Sequence, residues 1–174
     1  MKSLIIIAFR NFQDMEYLVP KKILENAGIE TETVSSKKGV AIGVFGETVL
    51  IDKTVSEVQV DDYDSLIFIG GGGCLSYLDN QDSYTIIKEA VVKNKLLAAI
   101  CISPIILAKA GVLDGKKATV WNSPIDQFPV RELKKCKAIY QEGPVVIDDY
   151  VITARGPEVA DLFGQEIIRL LTKK

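Results

Sequence analysis

The architecture of this chain follows from the stretch Lys95-Leu96-Leu97-Ala98-Ala99-Ile100-Cys101-Ile102-Ser103-Pro104, in which an apolar run leads directly into a helical segment. The run predicts a buried strand, so Cys101 falls on the sharp turn between strand and helix. Small residues two positions before and after the cysteine fit the tight turn called a nucleophile elbow. The amides of the next helical turn point toward the sulfur, which favours the thiolate. The alternative interpretation is an inert buried thiol, because free cysteine is among the most buried residue types.

Strands alternate with helical patterns on both sides of this stretch. In the first helix, predicted near residues 14–26, the apolar positions are Met15, Leu18, Val19 and Ile23. The remaining predicted elements are hairpins over residues 40–51 and 145–154, strands at 66–69 and 117–121, helices at 104–110 and 159–171, and a surface loop or short helix within 122–135. Because apolar strands joined by helical crossovers return to the same sheet, we predict an α/β fold: a mostly parallel sheet with helices on both faces.

The carboxyl ends of parallel strands lie at one edge of the sheet, where open α/β folds bind ligands. Residues 10–16, 70–74 and 101–104 leave those ends, so they are predicted to share one crevice. The glycine run from Gly70 to Gly73 completes neither the dinucleotide pattern nor the Walker pattern, which disfavours nucleotide binding. Glycines let backbone amides approach a ligand or a developing oxyanion closely. The alternative is a flexible turn after a core strand.

Glu16 falls early in the first predicted helix, at the same edge of the sheet as Cys101. Desolvation and a nearby sulfur charge would raise its pKa, so the carboxyl would hold a proton and donate it to the sulfur. The alternative is an ordinary acidic residue of a first helical turn, exposed to solvent.

Composition narrows the possible functions. A chain of 174 residues, 48% of them hydrophobic, fits a single domain over residues 1–174. A net charge of −2 without basic runs indicates no nucleic-acid or membrane partner, so small molecules or proteins are expected instead. Three cysteines without a CxxC pair fit the reducing cytoplasm and predict neither a disulfide framework nor a metal site. The short apolar N-terminus predicts a first strand rather than a signal peptide.

The chain contains no histidine. Every Ser-His-Asp triad, Cys-His pair and histidine-ligated metal is therefore excluded. A general base must be a carboxylate, lysine, tyrosine or the cysteine itself.

Four blocks, taken in order, resemble the ThiJ/PfpI superfamily. They are Asp14-Met15-Glu16-Tyr17-Leu18-Val19-Pro20 with Ala27-Gly28-Ile29; Tyr63-Asp64-Ser65-Leu66-Ile67-Phe68-Ile69-Gly70-Gly71; Ala98-Ala99-Ile100-Cys101-Ile102-Ser103-Pro104 with Ala110-Gly111-Val112-Leu113; and Val151-Ile152-Thr153-Ala154-Arg155-Gly156-Pro157. The resemblance covers nearly the whole chain. It implies a flavodoxin-like three-layer sandwich that is usually a homodimer and uses no cofactor.

The resemblance also implies roles for individual residues. Cys101 would be the nucleophile and Glu16 the protonated partner of its thiolate. The amides of Gly71, after Gly70, and of Ile102 would form an oxyanion hole. The block Arg155-Gly156-Pro157 would border the same pocket.

Trp121 marks a departure from the family pattern, because it stands near the position where the family often has a histidine. Protease and amidotransferase activities of this scaffold use that histidine as a base, so both are disfavoured here. The side chain of Trp121 is either a ligand-stacking wall of the pocket or a packing residue at a dimer contact.

Two functions remain open. In the first, Cys101 and Glu16 carry out chemistry on small reactive carbonyls, as a glyoxalase or deglycase does. In the second, the protein is a non-enzymatic redox sensor or chaperone-like stress protein whose Cys101 is oxidised to the sulfinate. Cys74 is expected to pack or face solvent, with a disulfide to Cys101 as the less favoured alternative, and Cys136 to fill core.

Overall fold

A six-stranded sheet forms the centre of the structure, a computed structural model that describes residues 1–173. In spatial order its strands are β10 (Val145–Asp148), β11 (Val151–Ala154), β7 (Leu96–Ile100), β6 (Ser65–Phe68), β1 (Lys2–Ile6) and β3 (Glu30–Val34). All neighbouring pairs are parallel except β10 and β11, which form the predicted C-terminal hairpin. The mostly parallel sheet predicted from the alternation of strands and helices is therefore confirmed.

Alternate side chains of the central strands enter two different cores. In β1, Leu4 and Ile6 pack on one face of the sheet, whereas Ile5 packs on the other. In β7, Ala99 belongs to the first core and Ile100 to the second. Because successive side chains of a strand point to opposite faces, a strand buried on both faces must be apolar throughout. This requirement explains the uninterrupted apolar runs in the sequence.

Helices cover both faces. On one face lie α1 (Asp14–Asn26) and α6 (Ala160–Leu171), which also pack against each other. On the other face lie α2 (Cys74–Leu78), α3 (Gln81–Val92), α4 (Pro104–Lys109) and α5 (Phe128–Lys135). Over residues 1–173, no helix is both long and apolar enough to cross a bilayer. Short 3₁₀ turns occupy Val55–Glu57, Val60–Asp62 and Pro157–Val159.

The buried face of α1 differs from the predicted one. Met15 is 50% exposed and Leu18 is 38% exposed, so these two apolar positions face outward. The buried residues of the helix include Glu16, Tyr17 and Leu24. The prediction of the apolar face was therefore wrong for Met15 and Leu18, whereas Val19 and Ile23 are half-buried.

Two small sheets flank the central one. The first joins β2 (Arg10–Phe12), β4 (Gly39–Gly43) and β5 (Thr48–Ile51), of which β4 and β5 form the predicted hairpin. The second pairs β8 (Lys117–Ala118) with β9 (Ile139–Tyr140). The strand predicted over residues 117–121 therefore ends earlier, and Trp121 lies in the loop after it. The segment predicted as a loop or short helix contains α5.

Candidate active site

Cys101 lies at a strained bend immediately after β7. Its φ angle of 64° falls in the left-handed region, which non-glycine residues seldom adopt. Two backbone hydrogen bonds fix the bend: the N–H of Cys101 donates to the carbonyl oxygen of Ala154 at 2.9 Å, and the N–H of Trp121 donates to the carbonyl oxygen of Cys101 at 2.8 Å. This geometry confirms the nucleophile elbow predicted from the sequence.

Ser103 holds the elbow against the neighbouring strand. Its buried hydroxyl accepts a hydrogen bond from the N–H of Ile100 at 2.9 Å and lies 2.8 Å from the carbonyl oxygen of Phe68. A small hydroxyl residue at this position thus connects the carboxyl ends of β6 and β7. The sequence indicated only that a small residue was needed here.

The glycine run follows β6 and packs against the elbow. A Cβ atom at Gly70 would lie 2.6 Å from Cβ of Cys101 and 2.8 Å from Oε2 of Glu16, too close for any side chain. Gly71 has a φ angle of +106°, and a Cβ there would approach backbone atoms of residues 11–13. The N–H of Gln13 donates to the carbonyl oxygen of Gly70 at 3.1 Å. The three segments predicted to share a crevice are therefore brought together.

Glu16 reaches this crevice from the first turn of α1. Its side chain is fully buried, and Oε2 accepts a hydrogen bond from the N–H of Gly70 at 3.0 Å. The other oxygen, Oε1, is buried without a hydrogen bond to any described group. An unpartnered buried carboxylate oxygen is costly, so this atom is suited to exchange a proton with the neighbouring thiol.

Burial raises the pKa of Glu16 to about 7, and the charge of Glu158 acts in the same direction. Contact with Cys101 and the hydrogen bond from Gly70 lower the pKa of Glu16 but do not cancel the effect of burial. The direction of the shift and its cause in desolvation agree with the sequence-based prediction for this carboxyl, but the sulfur lowers the pKa of Glu16 and does not raise it as predicted.

Burial also raises the pKa of the Cys101 thiol, and a charged Glu16 raises it further. The N–H groups of Gly71 and Ile102 lower it, which is the effect expected of amides that face the sulfur. The expectation that the thiolate is favoured at this turn was therefore wrong. The two amides do lower the pKa of the thiol, but burial and Glu16 raise it by more. Each ionisation opposes the other, so above pH 7 the pair retains one proton.

A pocket of about 320 Å³ opens above the sulfur. Its lining consists of Gly71, Gly72, Leu75, Cys101, Ile102 and Trp121. Trp121 was predicted either to line this pocket or to pack at an interface, and it lies in the pocket wall. Gly72 and Leu75 were not predicted as site residues. Gly72 falls within residues 70–74, which were predicted to border the crevice, and Leu75 follows in the first turn of α2; this neighbourhood was the signal that could have identified them.

The block Arg155-Gly156-Pro157 does not line this pocket, in contrast to the expectation from the resemblance. Arg155 instead forms an ion pair with Glu158 at 2.9 Å.

Cys74 is buried in the core and Cys136 is half-buried beside it, and all three cysteines are free. Among residues 1–173, no group of three or more histidine, cysteine, aspartate or glutamate side chains could hold a metal ion.

The fold and the site define an α/β protein with a cysteine on a nucleophile elbow and a buried glutamic acid beside it. The model of the DJ-1/PfpI family matches residues 1–170, and the chain belongs to that family.

Two relatives and two solved structures illustrate the similarity. The uncharacterized protein MJ0967 of Methanocaldococcus jannaschii is 41% identical over 99% of this chain and 83% of its own length. The Bacillus subtilis protein YraA, named a candidate cysteine protease, is 31% identical over 98% of each chain. A ThiJ/PfpI domain protein from Brachyspira murdochii has a TM-score of 0.93 at 28% identity, over 99% of this chain and 97% of its own. The oxidized form of Toxoplasma gondii DJ-1 has a TM-score of 0.80 at 27% identity, over 98% of this chain and 90% of its own.

Proposed function

We propose that this protein converts small reactive carbonyl compounds, 2-oxoaldehydes in particular, into 2-hydroxy acids without a cofactor. The observation that carries the proposal is the contact of the buried Glu16 carboxyl with the half-buried Cys101, which lines an open pocket. Such a pair supplies a nucleophile and a proton carrier in contact with each other, which is what addition to an aldehyde needs.

The first step joins the sulfur to the aldehyde carbon. The thiol proton passes to the Glu16 carboxylate as the carbon–sulfur bond forms, and the carbonyl oxygen gains the electron pair of its π bond. The N–H groups of Gly71 and Ile102, which face the sulfur, are available to stabilise this oxyanion. Glu16 then returns the proton to the oxygen, which gives a hemithioacetal.

The second step moves hydrogen within the adduct. Glu16 removes the proton from the carbon that carries sulfur and returns it to the neighbouring keto carbon, while the hydroxyl proton of the adduct moves to the former keto oxygen. The first carbon is thereby oxidised to a thioester and the second reduced to an alcohol, so no external oxidant or reductant takes part. Water then cleaves the thioester, which releases the 2-hydroxy acid and restores the thiol.

A protease or amidotransferase mechanism has less support. The chain has no histidine to serve as the base of a Cys-His pair, although its relative YraA carries a protease name. Glu16 is the only carboxyl that this scheme uses, and its pKa near 7 suits a group that both accepts and donates protons at neutral pH.

The test is turnover of methylglyoxal by purified protein, followed as loss of the aldehyde and gain of lactate. We expect Cys101→Ala to abolish turnover and Glu16→Gln to reduce it at least about a hundredfold, the usual contribution of a general base. Cys136→Ala is the matched control, because this cysteine lies outside the pocket, and it should retain activity. Undiminished turnover by Cys101→Ala would refute the proposal.

A second candidate function is redox sensing, in which peroxide oxidises Cys101 to the sulfinate. The unpartnered Oε1 of Glu16 favours it, because a protonated carboxyl there could donate to a sulfinate oxygen. The similarity to an oxidized DJ-1 structure also supports it. Mild peroxide would then add two oxygen atoms selectively to Cys101 in the mass spectrum, with no aldehyde turnover.

We also propose that the protein acts as a homodimer in the cytoplasm. An exposed apolar patch supports a second copy as the partner; it consists of Met15, Leu18, Val40, Ile42, Val44, Phe45 and Leu50. The tip of the β4–β5 hairpin is held to the start of α1, since the N–H of Phe45 donates to Asp14 at 3.0 Å. Exposed apolar side chains grouped on neighbouring elements commonly mark a protein interface.

A further inference from the structure

We infer that the favoured substrates carry an uncharged apolar group of about the size of an aromatic ring next to the reactive carbonyl. The reactive carbonyl rests on the proposed function, and the preference for an apolar group rests on the lining of the pocket. Methylglyoxal would then be a poor substrate compared with an aryl 2-oxoaldehyde such as phenylglyoxal.

The pocket wall contains three bulky apolar side chains. Leu75 comes from α2, Ile102 from the elbow and Trp121 from the loop after β8. The rest of the lining is Gly71, Gly72 and the reactive Cys101. An aromatic ring next to the carbonyl would contact leucine, isoleucine and indole surfaces, which are the surfaces that bind apolar ligand groups.

No charged side chain belongs to this lining within residues 1–173. A carboxylate or phosphate group on the substrate would lose its hydration in the pocket without gaining a counter-ion there. Above pH 7 the ionised Glu16 beneath the sulfur would also repel it. The pocket therefore discriminates against charged carbonyl compounds such as glyoxylate.

The size of the pocket also favours a ring. Its volume of about 320 Å³ corresponds to roughly ten water molecules at ~30 Å³ each. Methylglyoxal would leave much of this volume to water and would bring only a methyl group to the apolar wall. A phenyl group would displace that water and bury the apolar surface of Leu75, Ile102 and Trp121. Removal of apolar surface from water is the source of hydrophobic binding energy.

Trp121 is held in a defined place relative to the nucleophile. Its backbone N–H donates to the carbonyl oxygen of Cys101, as described above, and the next residue, Asn122, donates from its side chain to the hydroxyl of Tyr140 at 2.9 Å. Because these two hydrogen bonds fix the backbone of this loop beside the nucleophile, and Trp121 lines the pocket, we assign Trp121 as the residue that determines the preference for an aromatic group.

The first experiment measures binding without turnover. Wild-type protein is treated with iodoacetamide, and alkylation of Cys101 is measured by mass spectrometry with Cys136 as the internal reference. Acetophenone, an uncharged aryl ketone, should slow alkylation of Cys101, whereas acetone and benzoate at the same concentration should not. Trp121→Ala should lose the protection and Trp121→Phe should keep most of it, with circular dichroism confirming that both variants fold.

The second experiment compares kcat/KM for phenylglyoxal, methylglyoxal and glyoxylate. We expect phenylglyoxal to exceed methylglyoxal by at least about tenfold, since even one methylene in an apolar pocket is worth about 10–200-fold. Trp121→Ala should reduce this ratio more than it reduces turnover of methylglyoxal.

The outcomes separate the two claims. Protection by acetophenone without turnover of any aldehyde would support the apolar ligand class and refute the proposed function. Turnover of methylglyoxal as efficient as that of phenylglyoxal, with no protection by acetophenone, would overturn the inference and leave the proposed function standing.

Discussion

The backbone N–H of Gly70 donates to Oε2 of Glu16 at 3.0 Å, and this bond joins residues 54 positions apart in the chain. The same glycine lies against Cβ of Cys101, so one residue without a side chain packs against both the acid and the cysteine. The contact of Glu16 with Cys101 thus depends on the space that Gly70 leaves.

Gly70→Ala should disrupt this arrangement. The added methyl group would lie 2.6 Å from Cβ of Cys101, and its nearest neighbours include backbone as well as side-chain atoms. Overpacking of this kind typically costs about 1–3 kcal/mol, which urea denaturation would detect. Gly72→Ala is the matched control: a Cβ at Gly72 meets nothing within 4 Å, so its stability should change by less than about 0.5 kcal/mol. Equal stability of the two variants would contradict the geometry.

Glu16 should make the protein less stable as pH rises. Its pKa is raised from 4.5 to about 7 in the folded state, so between these pH values the folded protein binds more protons than the unfolded chain. Stability therefore falls across this window, by about 3 kcal/mol in total, because each pKa unit corresponds to about 1.4 kcal/mol. Urea denaturation at pH 4.5, 6 and 8 measures the effect. Glu16→Gln should lose this contribution, whereas Glu142→Gln, an exposed substitution, should keep it.

The reactivity of Cys101 should depend on the same carboxyl. Because Glu16 must be ionised to take the thiol proton, alkylation of Cys101 by iodoacetamide should accelerate as pH rises through about 7. In Glu16→Gln no carboxylate takes the thiol proton and no carboxylate charge opposes the thiolate, so the rate of alkylation should lose the inflection near pH 7 and should still be rising above pH about 8. Superimposable pH profiles for the two proteins would show that the acid does not act on the sulfur.

Asp14 should stabilise the β4–β5 hairpin. It is buried, with its two oxygens accepting hydrogen bonds from Phe45 at 3.0 Å and Glu47 at 2.8 Å. Asp14→Ala would leave both amides unsatisfied, at a cost of about 1–3 kcal/mol for a buried group. Asp52→Ala, an exposed substitution just after the same hairpin, is the control and should change stability by less than about 0.5 kcal/mol. Thermal unfolding would compare the two, and a loss as small as that of the control would contradict this role.

The apolar patch should determine the oligomeric state. Phe45 is 77% exposed in the single chain and Met15 is 50% exposed, although both side chains are apolar. If a second copy covers the patch, Phe45→Asp and Met15→Glu should each convert a dimer to a monomer in sedimentation velocity. Val92→Asp, an equally apolar exposed position on α3, should remain dimeric. A wild-type protein that sediments as a monomer would refute the homodimer.

The sequence was sufficient to predict the central sheet and the sharp turn at Cys101, because both depend on local patterns of residues. The run before Cys101 is apolar on both faces of a parallel strand, and the flanking small residues fit only a tight turn. The position of Glu16 also followed from the order of the segments at the carboxyl edge of the sheet.

The remaining features depend on contacts that no local pattern encodes. On α1 the exposed Met15 and the buried Glu16 together reverse the usual assignment of hydrophobic residues to the core. The pKa of the Cys101 thiol depends on how strongly burial, which raises it, outweighs the N–H groups of Gly71 and Ile102, which lower it. The spacing of residues in the sequence does not show how deeply the sulfur is buried. Arg155 lies outside the pocket lining and forms an ion pair with Glu158, a contact that the resemblance did not indicate.

The elbow at Cys101 is bent by main-chain hydrogen bonds to Ala154 and Trp121 and by the hydroxyl of Ser103. Its sulfur takes no part in any of these restraints. The atom proposed to react is therefore separable from the scaffold that presents it, and oxygen or selenium could replace sulfur there without rebuilding the bend. A protein built in this way can change its chemistry through the replacement of one side-chain atom at one position, while its fold stays the same.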